Sequence, residues 1–296
     1  MPNKIENAKK YIPTLDKIYK LGSLTSILDG NPELAKEGAN AGELLVAKIK
    51  VDDMADYDKA KGYTDGDVTL EWETIKADYD RGRMFTVDNV ENKDSADLAF
   101  GQLANEFIRT KVTPEIDAWR FSKYAKTENI GNTHGNLSDG ANVIKALRAA
   151  TTAMDEKEVP AEGRILFITP TLKGLIDDLD TNKSRAVIDK FAKVVEVPVS
   201  RFDAGITLKK DGGIENKNSN PLNFMIVHPS AIIQYPKHVA PKIVTPEANQ
   251  NADAWKFGYR LVGVCQVYEN KVDGIYVHAT KELNKEVKKK EKNFEM

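Results

Sequence analysis

Residues 62–125 read GYTDGDVTLEWETIKADYDRGRMFTVDNVENKDSADLAFGQLANEFIRTKVTPEIDAWRFSKYA. Two hydrophobic periods follow each other in this stretch. Val68, Leu70 and Trp72 share one parity, which predicts a strand over residues 68–80. Ile75, Ala77 and Tyr79 take the other parity, so a bulge or twist is expected near Glu73–Thr74. The period then lengthens. Asp94 or Ser95 can cap a helix, and Asp97 suits its positive N-terminal end. Leu98, Leu103, Ala104, Phe107 and Ile108 form its apolar stripe. Ile116, Trp119, Phe121 and Tyr124 carry the helical spacing on. Pro114 falls inside the pattern. Either it kinks one helix, or Thr113 caps a second helix with Pro in its first turn. Unbroken, Ser95–Lys126 is a rod of about 48 Å.

Just upstream, LLVAKIKVD (44–52) alternates too, with Leu45, Ala47, Ile49 and Val51 against Val46, Lys48, Lys50 and Asp52. It pairs with 68–80 as a hairpin, through the polar, glycine-punctuated connection 52–67. A return strand of that length measures about 43 Å. An isolated two-stranded ribbon is marginal in water, and the aromatic residues here have no partner nearby in sequence. The ribbon therefore needs a surface from another chain. The residues expected at that contact are Tyr63, Asp65, Trp72, Tyr79, Arg81 and Arg83.

Residues 1–43 read as an arm with scattered apolar residues. Leu15–Leu28 has partial helical spacing and can dock as a short helix. Downstream of the rod, a helix is expected over Leu137–Asp155, capped by Ser138 or Asp139. Buried strands are expected over Arg164–Thr169 and within NFMIVHPSAII (223–233). Both strands end at a proline (Pro170, Pro229) followed by Thr or Ser. A short helix LKGLIDDLD lies between them, then a helix passing into a strand. Residues 206–223 read as a mobile polar excursion. Lys242–Thr245, Trp255–Val267 and Lys271–Thr280 read as strands. The end, KELNKEVKKKEKNFEM, reads as a solvated, fraying tail.

Composition narrows the function classes. Among 296 residues there are 43 basic and 45 acidic, a net charge of −2. A nucleic-acid binder normally carries a basic surplus. No run approaches the ~20 apolar residues of a spanning helix, and the start has no signal-peptide core. The single cysteine, Cys265, excludes an internal disulfide and sits in apolar LVGVCQVY as a small buried hydrophobe. The chain suits a reducing cytoplasm.

Catalytic patterns are missing. The four histidines have no ligand partner at i+3 or i+4, and no HExxH, GxSxG, Walker A or GxGxxG occurs. The hairpin tip holds six Asp (52, 53, 56, 58, 65, 67) against Lys59 and Lys61. These could offer oxygens to a hard cation, but the calcium-loop pattern is absent, and a solvated tip is the plainer reading. Arg81-Gly82-Arg83, with Asp78, Asp80 and Asp88 around it, reads as a salt-bridge cluster within or between chains, or else an anion site. The expectation is no catalytic residue, no cofactor and no metal. A metal-dependent hydrolase using the acidic tip is the alternative from another class.

The 62–125 block, VPAEGRILFITP (159–170) and MIVHPSAII (225–233) resemble, in order, the major capsid proteins of tailed bacteriophages of Gram-positive hosts. The resemblance implies an α+β, Hong Kong 97-type capsid fold. Its parts would be an N-terminal arm (1–43), an extended loop (44–90), a peripheral domain with the spine helix (91–135), an axial domain (136–236), peripheral return strands (237–282) and a C-terminal tail (283–296). It implies a structural, non-enzymatic shell subunit, assembled in the host cytoplasm and housed in the virion. Its partners would be copies of itself in hexamers and pentamers, portal and head–tail connector proteins, and enclosed double-stranded DNA held without sequence specificity. No membrane is implied. Some members carry an N-terminal scaffolding segment. With the arm starting at Met1, a separate scaffolding protein or none is expected. Others join a Lys to an Asn covalently. No Asn and acid matching Lys59 or Lys61 are evident, so such a link is not predicted. An encapsulin-type nanocompartment shares the fold and is the nearest alternative.

Overall fold

A computed structural model of the chain describes residues 23–30, 35–37, 43–57, 59, 62–63, 65–89, 98–179 and 181–283. The arm before Ser23, the cap candidates Asp94 and Ser95, Asp97, and the tail after Leu283 lie outside the described residues.

Strand β1 (Ala35–Glu37) flanks a hairpin of β2 (Glu43–Val51) and β3 (Val68–Lys76). The β2–β3 register is unbroken from Glu43↔Lys76 to Val51↔Val68. The expected bulge at Glu73–Thr74 is absent, and the return strand is nine residues long, about 30 Å. The parity change has another cause. The outer apolar residues lie on one face of the ribbon, with Ile49 opposite Leu70 and Val51 opposite Val68. At the root, Val46 and Ile75 use the other face, buried against Ile233, Tyr235 and Val264. One ribbon thus serves two surfaces without any break in its ladder.

The chain turns a corner at Ala77–Asp78 and enters β4 (Tyr79–Asp88), which belongs to a different sheet. The spine follows as α1 (Leu98–Phe107), a π turn (Ile108–Val112) and α2 (Thr113–Ala125). It is one rod, about 42 Å over residues 98–125 at the helical rise. Thr113 is no cap. It has helical dihedrals, and its N–H reaches back to the carbonyl of Ile108. Proline has no N–H for the ladder, and its ring collides with the carbonyl four residues back. The widened turn immediately before Pro114 relieves that collision, and the helix runs on.

The centre of the molecule is a five-stranded sheet of order β5-β13-β10-β6-β7. Its strands are β5 (Gly131–His134), β6 (Ile165–Ile168), β7 (Lys193–Glu196), β10 (Leu222–Val227) and β13 (Ile275–Ala279). The two proline-ended strands, β6 and β10, pair with each other in the middle. Period two sorts their side chains. Ile165, Phe167, Met225 and Val227 face the spine residues Phe121 and Tyr124. Leu166, Ile168, Phe224 and Ile226 face the helix side. That side is built from α3 (Gly140–Asp155), α4 (Pro170–Asp177) and α5 (Asn182–Ile188). The sheet recruits 131–134 and 275–279, so boundaries at 136 and 236 cut through it.

Residues 206–223 are not simply an excursion. They contain the hairpin β8 (Ile206–Leu208) and β9 (Ile214–Asn216). The long strands β11 (Ile232–Val244) and β12 (Ala254–Val267) pair antiparallel, and β4 lies on the far edge of β12. Strand β11 begins ten residues before the expected start at Lys242. Tyr79, Ile108, Ile116, Phe257, Tyr259 and Leu261 form the core between this sheet and the spine. Among the described residues no helix is long and apolar enough to cross a membrane.

Candidate subunit interface

Among the described residues, most of the large apolar side chains that are exposed lie on the ribbon. Val51, Ile49, Val68, Leu70 and Trp72 are all exposed, from 43% for Trp72 to 71% for Val68. Strand alternation puts the cross-strand pairs Ile49/Leu70 and Val51/Val68 and the adjacent Trp72 on a single face, so the strip is continuous. Covering a side chain of this size stabilises by about 1.5–3 kcal/mol when burial is complete. A continuous strip of this kind marks an interaction site. At the tip, Met54 and Tyr63 stand in solvent, and the rings of Tyr57 and Tyr63 meet edge to face at 5.0 Å. The tip strands are closed by Asp52, whose carboxylate accepts from the Asp67 N–H at 2.9 Å. Asp65 is exposed beside them. No group of His, Cys, Asp and Glu able to hold a metal exists among the described residues.

Tyr79, Arg81 and Arg83, three of the six expected contact residues, are tied to the body of the chain. Tyr79 is 2% exposed, packs on Trp119 and donates to Glu115 at 3.1 Å. It begins β4 inside the spine-side core, so its apolar surface is already covered. Arg81 forms a 2.6 Å ion pair with Glu115 and donates to the carbonyl of Lys209 at 2.8 Å. Arg83 donates to the carbonyl of Asp211 at 2.8 Å. The tip of the β8–β9 hairpin is therefore tied to β4. Gly212 and Gly213, with φ of +115° and +74°, make the tight turn that presents these carbonyls. The arginines do not pair with the aspartates beside them in sequence. Asp80 takes Arg260 at 2.6 Å, and Asp78 takes Lys123 at 3.5 Å.

Asp78 sits at the corner between ribbon and body and also accepts the Cys265 N–H at 3.0 Å. Burial pushes its carboxyl above the ordinary 3.8, against the opposing pull of Lys123. Cys265 is fully buried, and burial raises its thiol to about 12. It stays protonated and is no nucleophile. His228 bridges Ser230 and the carbonyl of Glu162, as a residue at a strand end does.

A buried polar clasp holds residues 23–29 of the arm. Asp117, fully buried on α2, accepts from Ser23 Oγ (2.6 Å), Leu24 N (2.9 Å), Thr25 Oγ1 (2.7 Å) and Thr25 N (3.2 Å). Arg201 donates at 3.4 Å to Oδ2, the oxygen that also accepts from Leu24 N. Arg120 donates to Thr25 Oγ1 at 2.8 Å, and Gln234 donates to the Thr25 carbonyl and to Asp29, each at 2.7 Å. Tyr124 completes the set, donating to Gln234 at 2.6 Å. Gly30 passes so close to the Tyr235 ring that a Cβ there would lie 2.6 Å from the hydroxyl. Sequence reading missed this clasp. The one signal was two charged residues, Asp117 and Arg120, placed among the apolar positions of the helix.

No protein-family model and no curated protein matches the chain. Solved structures do. The asymmetric unit of the bacteriophage PhiM1 mature capsid matches with a TM-score of 0.57 and 13% identity, over 82% of this chain and 83% of that one. The capsid structure of the cyanophage P-SCSP1u matches at 0.56 and 12%, over 82% and 84%. The chain has the Hong Kong 97-type capsid fold. A virus-like particle from Pyrococcus furiosus shares it, with a TM-score of 0.55 and 14% identity, over 91% and 98%. The capsid fold implied by residues 62–125 is thus the observed one, in an α+β chain with spine and ribbon in the expected order.

Proposed function

We propose that this chain is the major capsid subunit of a tailed phage, self-assembling into an icosahedral shell around double-stranded DNA. The observation that carries the reading is the outer ribbon. Five apolar side chains on one face are exposed in the single chain, Trp72 the least, while the root of the same ribbon is well packed. A surface so divided suits a limb fixed at its base and covered along its length by another copy. The fold shared with phage capsids supports the same reading. In those terms β4, the spine, β11 and β12 form the peripheral domain, and the five-stranded sheet with α3–α5 forms the axial domain. Trp72, Tyr63 and Asp65 belong to the contact between copies. Arg81 and Arg83 act there by holding their hairpin in place. The role is structural rather than catalytic. Net charge near neutral suits a container that encloses DNA without gripping it. Portal, head–tail connector and any scaffolding proteins would join the shell during assembly in the host cytoplasm.

A second reading, a nanocompartment shell, is favoured by the match that spans 98% of the Pyrococcus furiosus particle protein. Electron microscopy of the purified, expressed chain tests both. Closed icosahedral shells are expected. Chains that remain single at high concentration contradict both readings. Co-purification of one packaged enzyme from the native host would select the compartment over the phage head.

A further inference from the structure

Arm and ribbon are both fastened at one rung of the β11–β12 ladder, where Gln234 lies opposite Cys265. On the β11 side, the Gln234 amide donates to the Thr25 carbonyl and to Asp29, and its backbone carbonyl accepts the Gly30 N–H at 3.0 Å. On the β12 side, the Cys265 N–H donates to Asp78, the corner residue of the ribbon, at 3.0 Å. Helix α2 braces the same rung. Asp117 and Arg120 hold the arm, Lys123 pairs with Asp78, and Tyr124 donates to Gln234. Strand alternation turns the neighbours of Gln234 the other way. Ile233 and Tyr235 pack with Val46 and Ile75 of the ribbon root. Gly30 of the arm passes over that same Tyr235 ring, and β1 then pairs with β2 at Val46.

We infer that arm and ribbon form one coupled unit: the docked arm sets the pose of the ribbon root, and release of either limb loosens the other. The clasp at residues 23–30 and the corner at Asp78 are the two coupled sites. The Gln234–Cys265 rung and the 117–124 turns of α2 are their shared support. A shift of that support weakens both sets of bonds, and the coupling must therefore be reciprocal. It is a property of the single chain, so it stands or falls apart from the shell reading. In a shell, a copy then presents its ribbon only when its own arm is home.

Amide hydrogen exchange of the dilute, unassembled full chain tests this, with one reporter on each side of the rung. The Cys265 N–H reports the corner, and the Gly30 N–H reports the arm. Thr25→Val removes a hydroxyl from the arm and leaves every ribbon residue in place. It should speed exchange at Cys265 by about fivefold or more, the lower end of the usual coupling between sites. Ser23→Ala, a milder change on the same arm, should act in the same direction, so the test survives a Thr25→Val chain that does not fold. In the reverse sense, Asp78→Ala should speed exchange at Gly30. Acceleration confined to the limb that carries the substitution overturns the coupling. Equal acceleration at Phe167 and Met225 in the five-stranded sheet overturns it too, because the whole chain has then loosened. Thr25→Val combined with Asp78→Ala gives a second readout. Its fall in denaturant midpoint should be smaller than the sum of the two single falls, as for residues that share a support. A plain sum counts against the shared rung.

Discussion

The hydroxyl of Ser23 donates a 2.6 Å hydrogen bond to Asp117, 94 positions along the chain. It fastens the arm, midway along its length, to helix α2 of the spine. Three more donors from Leu24 and Thr25 converge on the same carboxylate. A buried carboxylate is tolerable only when its oxygens are filled, and here the arm fills them. The docked arm and the buried acid therefore depend on each other.

Asp117→Ala should release residues 23–30. Breaking a buried charged pair costs up to about 3–5 kcal/mol; here Arg201 loses its partner and Thr25 loses the acceptor of both its hydroxyl and its N–H. Hydrogen exchange should show residues 23–30 losing protection while β6 and β10 keep theirs. Unchanged protection of the arm segment would show that its apolar contacts alone hold it.

The outer ribbon makes a contrasting prediction. Ile49→Lys with Leu70→Lys alters only exposed positions, and such changes usually move stability by less than about 0.5 kcal/mol. Thermal unfolding of the unassembled chain should be nearly unchanged, while particles vanish from sedimentation profiles. A large loss of monomer stability with normal particles would assign the strip to the chain's own core.

The hairpin tie is weaker and local. Arg83→Ala removes a hydrogen bond to the Asp211 carbonyl, a contact on the order of 0.5–1.5 kcal/mol. Amides of residues 209–213 should exchange faster, with the five-stranded sheet unaffected. Arg81→Ala should do more, because it also removes the ion-pair partner of Glu115. Equal effects from both would show that the Glu115 pair adds nothing.

His278 supplies a pH dependence. It is buried on β13, within 3.0 Å of Asn223, and stacked beside Phe224. Burial, and then nearby His134, hold its pKa below the ordinary 6.5. The unfolded chain takes up this proton near pH 6.5, whereas the folded chain resists until the pH is lower. The contribution to stability is therefore whole above pH 6.5 and is lost as pH falls through the folded value. Denaturant midpoints should decline below pH 6.5, and less steeply for His278→Gln. Parallel declines in both proteins would place the titrating group elsewhere.

The order of arm, ribbon, rod and mixed sheet is visible in the sequence because period two and period 3.6 follow each other cleanly from Val68 to Tyr124. The ends of elements are less visible. The parity change at Ile75 reads equally as a bulge or as a change of partner, and only the position of Ile233 and Tyr235 decides between them. Pro114 reads as a break because a π turn leaves no pattern in the apolar spacing. The strand at 275–279 is legible within the expected strand 271–280, but its place in the five-stranded sheet and the strand 131–134 beside it are not, since both join by long-range pairing that local pattern cannot record. In sequence Arg81 and Arg83 read as partners of the aspartates beside them, yet the groups they bind, Glu115, Lys209 and Asp211, are distant along the chain. The clasp on Asp117 is hidden for the same reason.

The strip along the ribbon has a social consequence for a shell built from this chain. A molecule whose greasy edge is covered by its neighbour, while its own flank covers the edge of another, is held from two sides at once. One faulty copy then loosens two seams, so a ribbon variant mixed with normal protein should spoil more of the assembly than its share of the mixture.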